Sequence, residues 1–322
     1  MSLFICPLCQ SPLLLAADTW RCDGSLHPKK TVHTFDVARQ GYVNLLPVQQ
    51  KNSKTPGDSA ASIMARQRFL QAGFYQPLQT LICEQIDLWL SKKRLSDQLL
   101  SAHKDDNDSI NWLDIGCGEG YYTGAMAQTA VDELIAADIS KPAVIALAKV
   151  SKANHQLWYQ SGIAGQTTAA IYPIVTSAAR LPLRANSISG ISSIFSPILP
   201  QAFAEVLADK GYLLIAKPDV GHLASVREAL FDEVREHDSD KFLTELAPYF
   251  ELRETHFVCT ELSLAAEPLA DLLTMTPYSY RAHASRREAL LAMSQDTPFM
   301  TEAKFVVYVL QKRVSATDRL DA

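Results

Sequence analysis

From Ile110 onward the sequence predicts an α/β fold built on a mostly parallel sheet, and three observations carry that reading. Apolar runs of strand length alternate with helical stretches, the order expected when helices cover both faces of a parallel sheet. The first run (Ile110 to Leu113) ends in Asp114-Ile-Gly-Cys-Gly-Glu-Gly120, an acid followed by three alternating glycines. The second run (Leu134 to Ala137) ends in another acid, Asp138, twenty residues after Gly118. Glycine belongs where a backbone turns tightly or must come within contact distance of a ligand. A carboxylate at the end of the second strand is placed to bond the hydroxyls of a ribose. Strands are expected at 110–115, 134–138, 171–175, 190–195 and 211–216, with an antiparallel pair near 254–262 and 303–311. The ligand site of such a sheet lies at the carboxyl ends of its strands, near the point where strand order reverses.

The loop differs from the dinucleotide fingerprint, whose last two glycines are three apart. Its G-x-G-x-G spacing behind a built-in aspartate resembles motif I of the Rossmann-like S-adenosylmethionine (SAM) methyltransferases. That resemblance implies a seven-stranded, mostly parallel sheet. It also implies that Asp114, Gly116, Gly118 and Gly120 surround the methionine end of SAM, and that Asp138 holds its ribose. Tyr121, Tyr122 and Thr123 open the following helix beside the same ligand. Thr176 and Ser177 follow the third strand, where the adenine is expected. The fourth strand exits through Phe195-Ser-Pro197, next to the methyl group in this fold. Cys117 and Cys259 read as small packing residues.

The 322 residues carry a net charge of −5 and are 48% hydrophobic, enough for a full core. The start, MSLFICPLCQ, has neither the basic nor the apolar region of a secretory signal, so a cytoplasmic location is expected. No apolar run reaches membrane-spanning length. The charge is divided unevenly. Residues 1–94 hold 11 Lys/Arg against 6 Asp/Glu, net +5, and the remainder holds 19 against 29, net −10. A basic module in front of an acidic one leans toward an anionic partner for the front part.

That front part contains Cys6-Pro-Leu-Cys9 and, after twelve intervening residues, Cys22. Two thiolates on one tight turn point at the same ion, and structural zinc takes four ligands in a tetrahedron. A histidine is the natural fourth. His27 and His33 compete, and spacing alone favours His27. A module this small cannot bury enough apolar surface unaided, so metal binding would supply folding energy. Trp20, Phe35 and Tyr42 are expected to pack around the ion. Residues 1–50 therefore read as a zinc-binding, RNA-recognising module and 106–322 as the sheet domain. Between them, 51–105 form a linker and helices covering the cofactor site. Those helices start near Asp58 or Ser59 and break at Gly73-Phe-Tyr-Gln-Pro77, where Tyr75 can lean over a neighbouring pocket.

Taken together, Cys6-x2-Cys9, the run Phe35-Asp-Val-Ala-Arg-Gln-Gly-Tyr-Val-Asn-Leu-Leu46, Pro56-Gly-Asp58 and Asp114 to Thr123 resemble the bacterial 23S rRNA (guanine-N1)-methyltransferase family, and the match spans both modules. The resemblance implies SAM-dependent methylation of N1 of a guanine in a 23S rRNA hairpin. It implies zinc ligands Cys6, Cys9, Cys22 and His33, displacing His27. It adds Tyr75, Tyr122, Thr123 and His222 to the cofactor contacts. Lys29, Lys30, Lys51, Lys54, Arg66 and Arg68 are candidates to grip the hairpin phosphates. A homodimer is left open. The competing readings are a SAM methyltransferase acting on a small molecule or protein, and a non-catalytic zinc RNA-binding protein. The intact loop and Asp138 argue against the second.

Overall fold

The structure is a computed structural model, and it describes residues 2–50, 56–100, 109–161, 169–232 and 241–314. Lys51, Lys54 and most of the charged stretch 101–110 lie outside the described residues. The front module opens with three short antiparallel strands, β1 (Leu13–Leu14), β2 (Thr19–Cys22) and β3 (Thr34–Asp36). A fourth, β4 (Val43–Asn44), leaves that sheet and pairs in parallel with the main one. Helix α1 (Ala60–Gln71) starts where Ser59 accepts a hydrogen bond from the Ser62 N–H, satisfying one of the free donors of the first turn. It stops at Gly73, which has a positive φ of 86°, and α2 (Gln76–Leu100) follows.

The main sheet then accumulates as expected. The strands and helices alternate as β5 (Asn111–Ile115), α3 (Tyr121–Met126), β6 (Glu133–Asp138), α4 (Lys141–Ser161) and β7 (Ala170–Val175). Next come β8 (Ile188–Ile194), α5 (Pro200–Val206), β9 (Leu207–Pro218), α6 (Ala224–Leu230) and α7 (Lys241–Leu246). The chain closes with β10 (Phe250–Leu264), α8 (Ala266–Met275), α9 (Tyr278–Arg281), α10 (Ala284–Asp296) and β11 (Phe299–Lys312). The order across the sheet is β10-β11-β9-β8-β5-β6-β7-β4. From β9 to β7 neighbours run parallel, and β11 is antiparallel to both β9 and β10. The seven expected strands are all present. The eighth, β4, comes from the front module, so the small domain also closes one edge of the large sheet. A two-residue strand is below the length at which alternation is legible, which is why the sequence did not announce it.

Every residue of β5 is buried, as a strand covered on both faces must be. The centre of the sheet depends on one close contact. Trp112 of β5 lies flat against Gly190 of β8, where an added Cβ would come within 2.1 Å of the indole ring. Trp89 of α2 packs edge-on to the same ring at 5.6 Å. Strand-order reversal falls between β8 and β6, with β5 in the middle, so their carboxyl ends open the crevice in which ligands of such sheets bind.

The Trp112 contact generates a prediction. Gly190→Ala forces a methyl group into the ring and is expected to cost about 1–3 kcal/mol of stability, the usual penalty for overpacking. Urea denaturation followed by fluorescence checks this, and a midpoint equal to that of the unaltered protein contradicts it.

Candidate cofactor and metal sites

At the end of β5, Asp114 is 1% exposed. Its two carboxylate oxygens accept from hydroxyls on different elements, Thr123 Oγ1 of α3 at 2.6 Å and Ser192 Oγ of β8 at 2.9 Å. Burial pushes its pKa up to about 6, against the pull of those two hydroxyls. The three glycines that follow have φ of 74°, 58° and 94°, a region that side chains with a Cβ avoid. Two of them are also packed tight. A Cβ on Gly116 would lie 2.3 Å from Ser196 Cβ, and one on Gly120 would lie 2.7 Å from Leu147 Cγ. The loop is therefore a rigid backbone cradle.

Asp138, half-buried at the end of β6, accepts from the Gly118 N–H at 3.0 Å and from the Ser140 N–H at 2.7 Å. The second acid thus braces the same loop. Ser140 in turn donates to the Asp58 carbonyl at 2.8 Å, which ties Pro56-Gly-Asp58 to the end of β6.

Tyr75, in the break between α1 and α2, is 4% exposed and stands edge-on to Phe305 of β11 at 4.7 Å and to Phe69 at 5.2 Å. His222 is 6.4 Å from the Tyr75 ring and 4.8 Å from Phe305. Burial lowers the His222 pKa to about 4, so its ring is neutral near pH 7. Its Nδ1 lies 2.8 Å from the Lys304 carbonyl oxygen. Tyr122 faces the same group through Phe195, 6.4 Å away. Tyr75, Tyr122 and His222 thus gather with the exposed Phe195 at the mouth of the crevice, while Asp114 and Thr123 are buried beside the glycines.

Two buried polar atoms in this region have no partner, the Tyr122 hydroxyl and Glu119 Oε2. Such groups cost free energy unless a ligand or ordered water satisfies them. SAM carries the amine, carboxylate and hydroxyls that could do so, so the residues present fit it. Glu119 was within the quoted loop motif but had no assigned role. Burial raises its pKa above the ordinary carboxylate range, while its own backbone N–H and the Arg66 charge pull it down. Arg66 was also missed at this site. From α1 its guanidinium pairs with Asp58 at 2.6 Å and reaches to 3.5 Å from where a Gly118 Cβ would stand. Arg68 forms a fork with the buried Asp271 of α8, through Nε at 2.9 Å and Nη2 at 2.5 Å. Both arginines, candidates to grip phosphates, are paired with carboxylates within the molecule. Cys117 is buried as expected, whereas Cys259 is exposed on β10, with its thiol directed to Glu302 Oε1 at 3.8 Å.

In the front module, the ligand atoms of Cys6, Cys9, Cys22 and His33 all lie within 4.8 Å of one another. His33 Nδ1 is 3.5 Å from Cys6 Sγ and 3.6 Å from Cys22 Sγ, and Cys9 Sγ is 3.7 Å from Cys22 Sγ. Zinc bonds of about 2.3 Å to sulfur and 2.0 Å to nitrogen make a tetrahedron with edges of roughly 3.5–3.8 Å, so the donor set fits zinc. Spacing misled the choice of histidine because strand register decides it. β2 and β3 pair Arg21 with Thr34, and the ladder continues with the Cys22 N–H donating to the His33 carbonyl at 3.0 Å. That register puts His33 beside Cys22 and loops out residues 23–32. His27 Nδ1 instead accepts from the N–H groups of Lys29 and Thr31 within that loop. Trp20 and Phe35 pack in the cluster that includes Cys6 and Cys22, as expected, whereas Tyr42 packs against Val144 and Ala148 of α4.

Residues 4–54 match the family model described as RlmA, N-terminal, a zinc ribbon, and residues 113–214 match a methyltransferase domain. A 23S rRNA (guanine(748)-N(1))-methyltransferase of Streptomyces fradiae is 29% identical over 277 residues, 85% of this chain and 85% of that protein. YxjB of Bacillus subtilis (strain 168) is 29% identical over 304 residues, 91% of this chain and 92% of that one. Its name carries a provisional assignment as a 23S rRNA (guanine-N(1)-)-methyltransferase. The chain thus joins an RlmA-type N-terminal zinc ribbon to a methyltransferase domain. In this methyltransferase the ribbon and the sheet are joined physically. The Ile5 N–H donates to the Pro182 carbonyl at 3.0 Å, and Trp20 stands edge-on to Tyr172 of β7 at 6.4 Å.

The zinc assignment is checked by metal analysis of purified variants. His27→Ala is expected to retain one zinc per chain, and His33→Ala to lose it along with part of the thermal stability. Zinc kept by His33→Ala and lost by His27→Ala contradicts the site.

Proposed function

We propose that this methyltransferase transfers the methyl group of SAM to N1 of one guanine in a hairpin of 23S rRNA. The observation that carries the reading is the pairing, in one chain, of a Cys3His zinc ribbon with a glycine cradle at the carboxyl ends of a parallel sheet. Two relatives that align with 85% or more of this chain are named, one of them provisionally, as 23S rRNA (guanine-N1)-methyltransferases.

When bound, SAM supplies a methyl group already activated on a sulfonium, so no covalent enzyme intermediate is required. Gly116, Gly118 and Gly120 would hold its methionine end, with Asp114 supplying negative charge and Asp138 hydrogen bonds to the ribose. Tyr75, Tyr122 and His222 would complete the enclosure. Burial holds both tyrosines protonated and His222 neutral, so the mouth is an uncharged, largely apolar enclosure. Such an enclosure excludes water, and aromatic faces are suited to a cationic ligand. Thr123 acts through Asp114, because its hydroxyl hydrogen is directed to the carboxylate. N1 lies on the Watson–Crick edge of guanine, so the target base must be unpaired or flipped out. Exposed Arg21, Lys29 and Arg39 on the ribbon are placed to meet backbone phosphates. Among the described residues no helix is long and apolar enough to cross a membrane.

The reading is tested by primer extension on unmodified 23S rRNA after incubation with the protein and SAM. N1-methylation blocks Watson–Crick pairing and stops reverse transcriptase. The expected result is a new SAM-dependent stop at one guanine, lost with Asp114→Ala. No stop anywhere, with SAM binding intact by calorimetry, contradicts the RNA reading and favours a small-molecule or protein substrate.

A further inference from the structure

Phe195, the first residue beyond β8, combines three features that belong together only if its ring has a partner outside the fold. First, its φ is 54°, the left-handed region that bulky side chains rarely enter and that persists only where the surroundings over-determine it. Secondly, those surroundings are tight. The Phe195 N–H donates to the Ala216 carbonyl of β9 at 3.0 Å. The next residue, Ser196, donates to the Ile115 carbonyl at 2.9 Å and packs its Cβ onto Gly116 of the glycine loop. The ring is thereby held within one residue of the methionine end of the cofactor cradle. Thirdly, Phe195 is 44% exposed although it borders a buried aromatic group. Its centroid is 5.4 Å from Phe305 and 6.4 Å from both Tyr75 and Tyr122, and these three are 1%, 4% and 8% exposed.

A phenylalanine free to choose its backbone would sink into that group. Here the turn holds it at the surface of the group, with the following residue packed on the glycine loop. A flat apolar face beside a reacting centre suits a flat ligand, and purine bases extruded from a helix are held by stacking on aromatic side chains. We propose that Phe195 is the platform on which the target guanine stacks, fixing the purine plane so that N1 meets the methyl group. This rests on the rRNA reading above. It makes Phe195 a substrate-positioning residue that contributes little to holding SAM.

The test measures kcat and KM on the rRNA substrate and SAM affinity by calorimetry for Phe195→Tyr, Phe195→Leu and Phe195→Ala. Leucine keeps the apolar volume and removes the aromatic face. The expected result is that F195L and F195A lower kcat/KM for RNA about tenfold or more, the loss expected of one base stack. F195Y is expected to restore most of it, and SAM affinity to stay unchanged throughout. SAM affinity also reports that each variant is folded. F195L as active as the unaltered protein overturns the platform. Activity and SAM affinity falling together in F195L also overturns it, because Phe195 then only covers the cofactor. An unaltered protein that methylates no guanine takes down the rRNA reading itself, and the platform with it, before any variant is compared.

Discussion

A buried chain of hydrogen bonds runs across the centre of the sheet, and the cofactor cradle depends on it. The Trp112 indole N–H donates to Ser192 Oγ at 3.3 Å, and Ser192 donates to Asp114. Thr123 donates to the other oxygen of the same carboxylate from the first turn of α3. Four side chains on β5, β8 and α3 are thus fixed relative to one another, with a carboxylate at the hub. A buried polar network of this kind is costly when incomplete and rigidifying when every member is satisfied. Both Asp114 oxygens have partners, so the glycine loop leaves β5 from a fixed base. The close contacts of Gly116 with Ser196 and of Gly120 with Leu147 then leave its backbone little freedom.

The front module extends that rigidity to the edge of the sheet. Phe4 packs against Trp20 at 4.7 Å and Tyr172 at 5.6 Å, and β4 adds its two residues to β7. The cluster that contains Cys6 and Cys22 also contains Leu113, Ile115 and Ile174 of the main sheet. A metal that folds the ribbon therefore also completes one wall of the large domain. The linker joins in from the other side, where Asp58 and Arg66 meet the end of β6 and the glycine loop. The ribbon, the linker and the sheet domain are thus parts of one packed unit.

Much of this was legible because its causes are local. Alternating apolar runs with acids and glycines at their ends located β5, β6 and the loop, since backbone geometry dictates those residue types directly. The Gly73 to Pro77 break placed Tyr75 at the mouth for the same reason. The parts that stayed hidden are set by register and by distant partners. His33 becomes the neighbour of Cys22 through strand pairing, which residue counting cannot supply. The carboxylate partners of Arg66 and Arg68, Asp58 and the distant Asp271, are set by packing and not by spacing. Glu119 stood in plain view between two glycines, but only its burial and its unpartnered oxygen make it informative. Phe195 was noticed as part of a strand exit, and its left-handed backbone and exposed ring emerged only from the packing around it.

The central claim is that Asp114 is a buried group held as the base of the cradle, and thermal unfolding of the cofactor-free protein and Asp114→Asn between pH 4 and pH 7 tests it most directly. Because burial raises the Asp114 pKa from 3.8 to about 6, this side chain's contribution to stability is greatest below pH 4 and is lost as pH rises through 6. Asparagine cannot ionise. The stability of D114N relative to the unaltered protein is therefore predicted to improve as pH rises across that window, by roughly 3 kcal/mol in total. Two unfolding profiles that stay parallel from pH 4 to pH 7 would contradict the account.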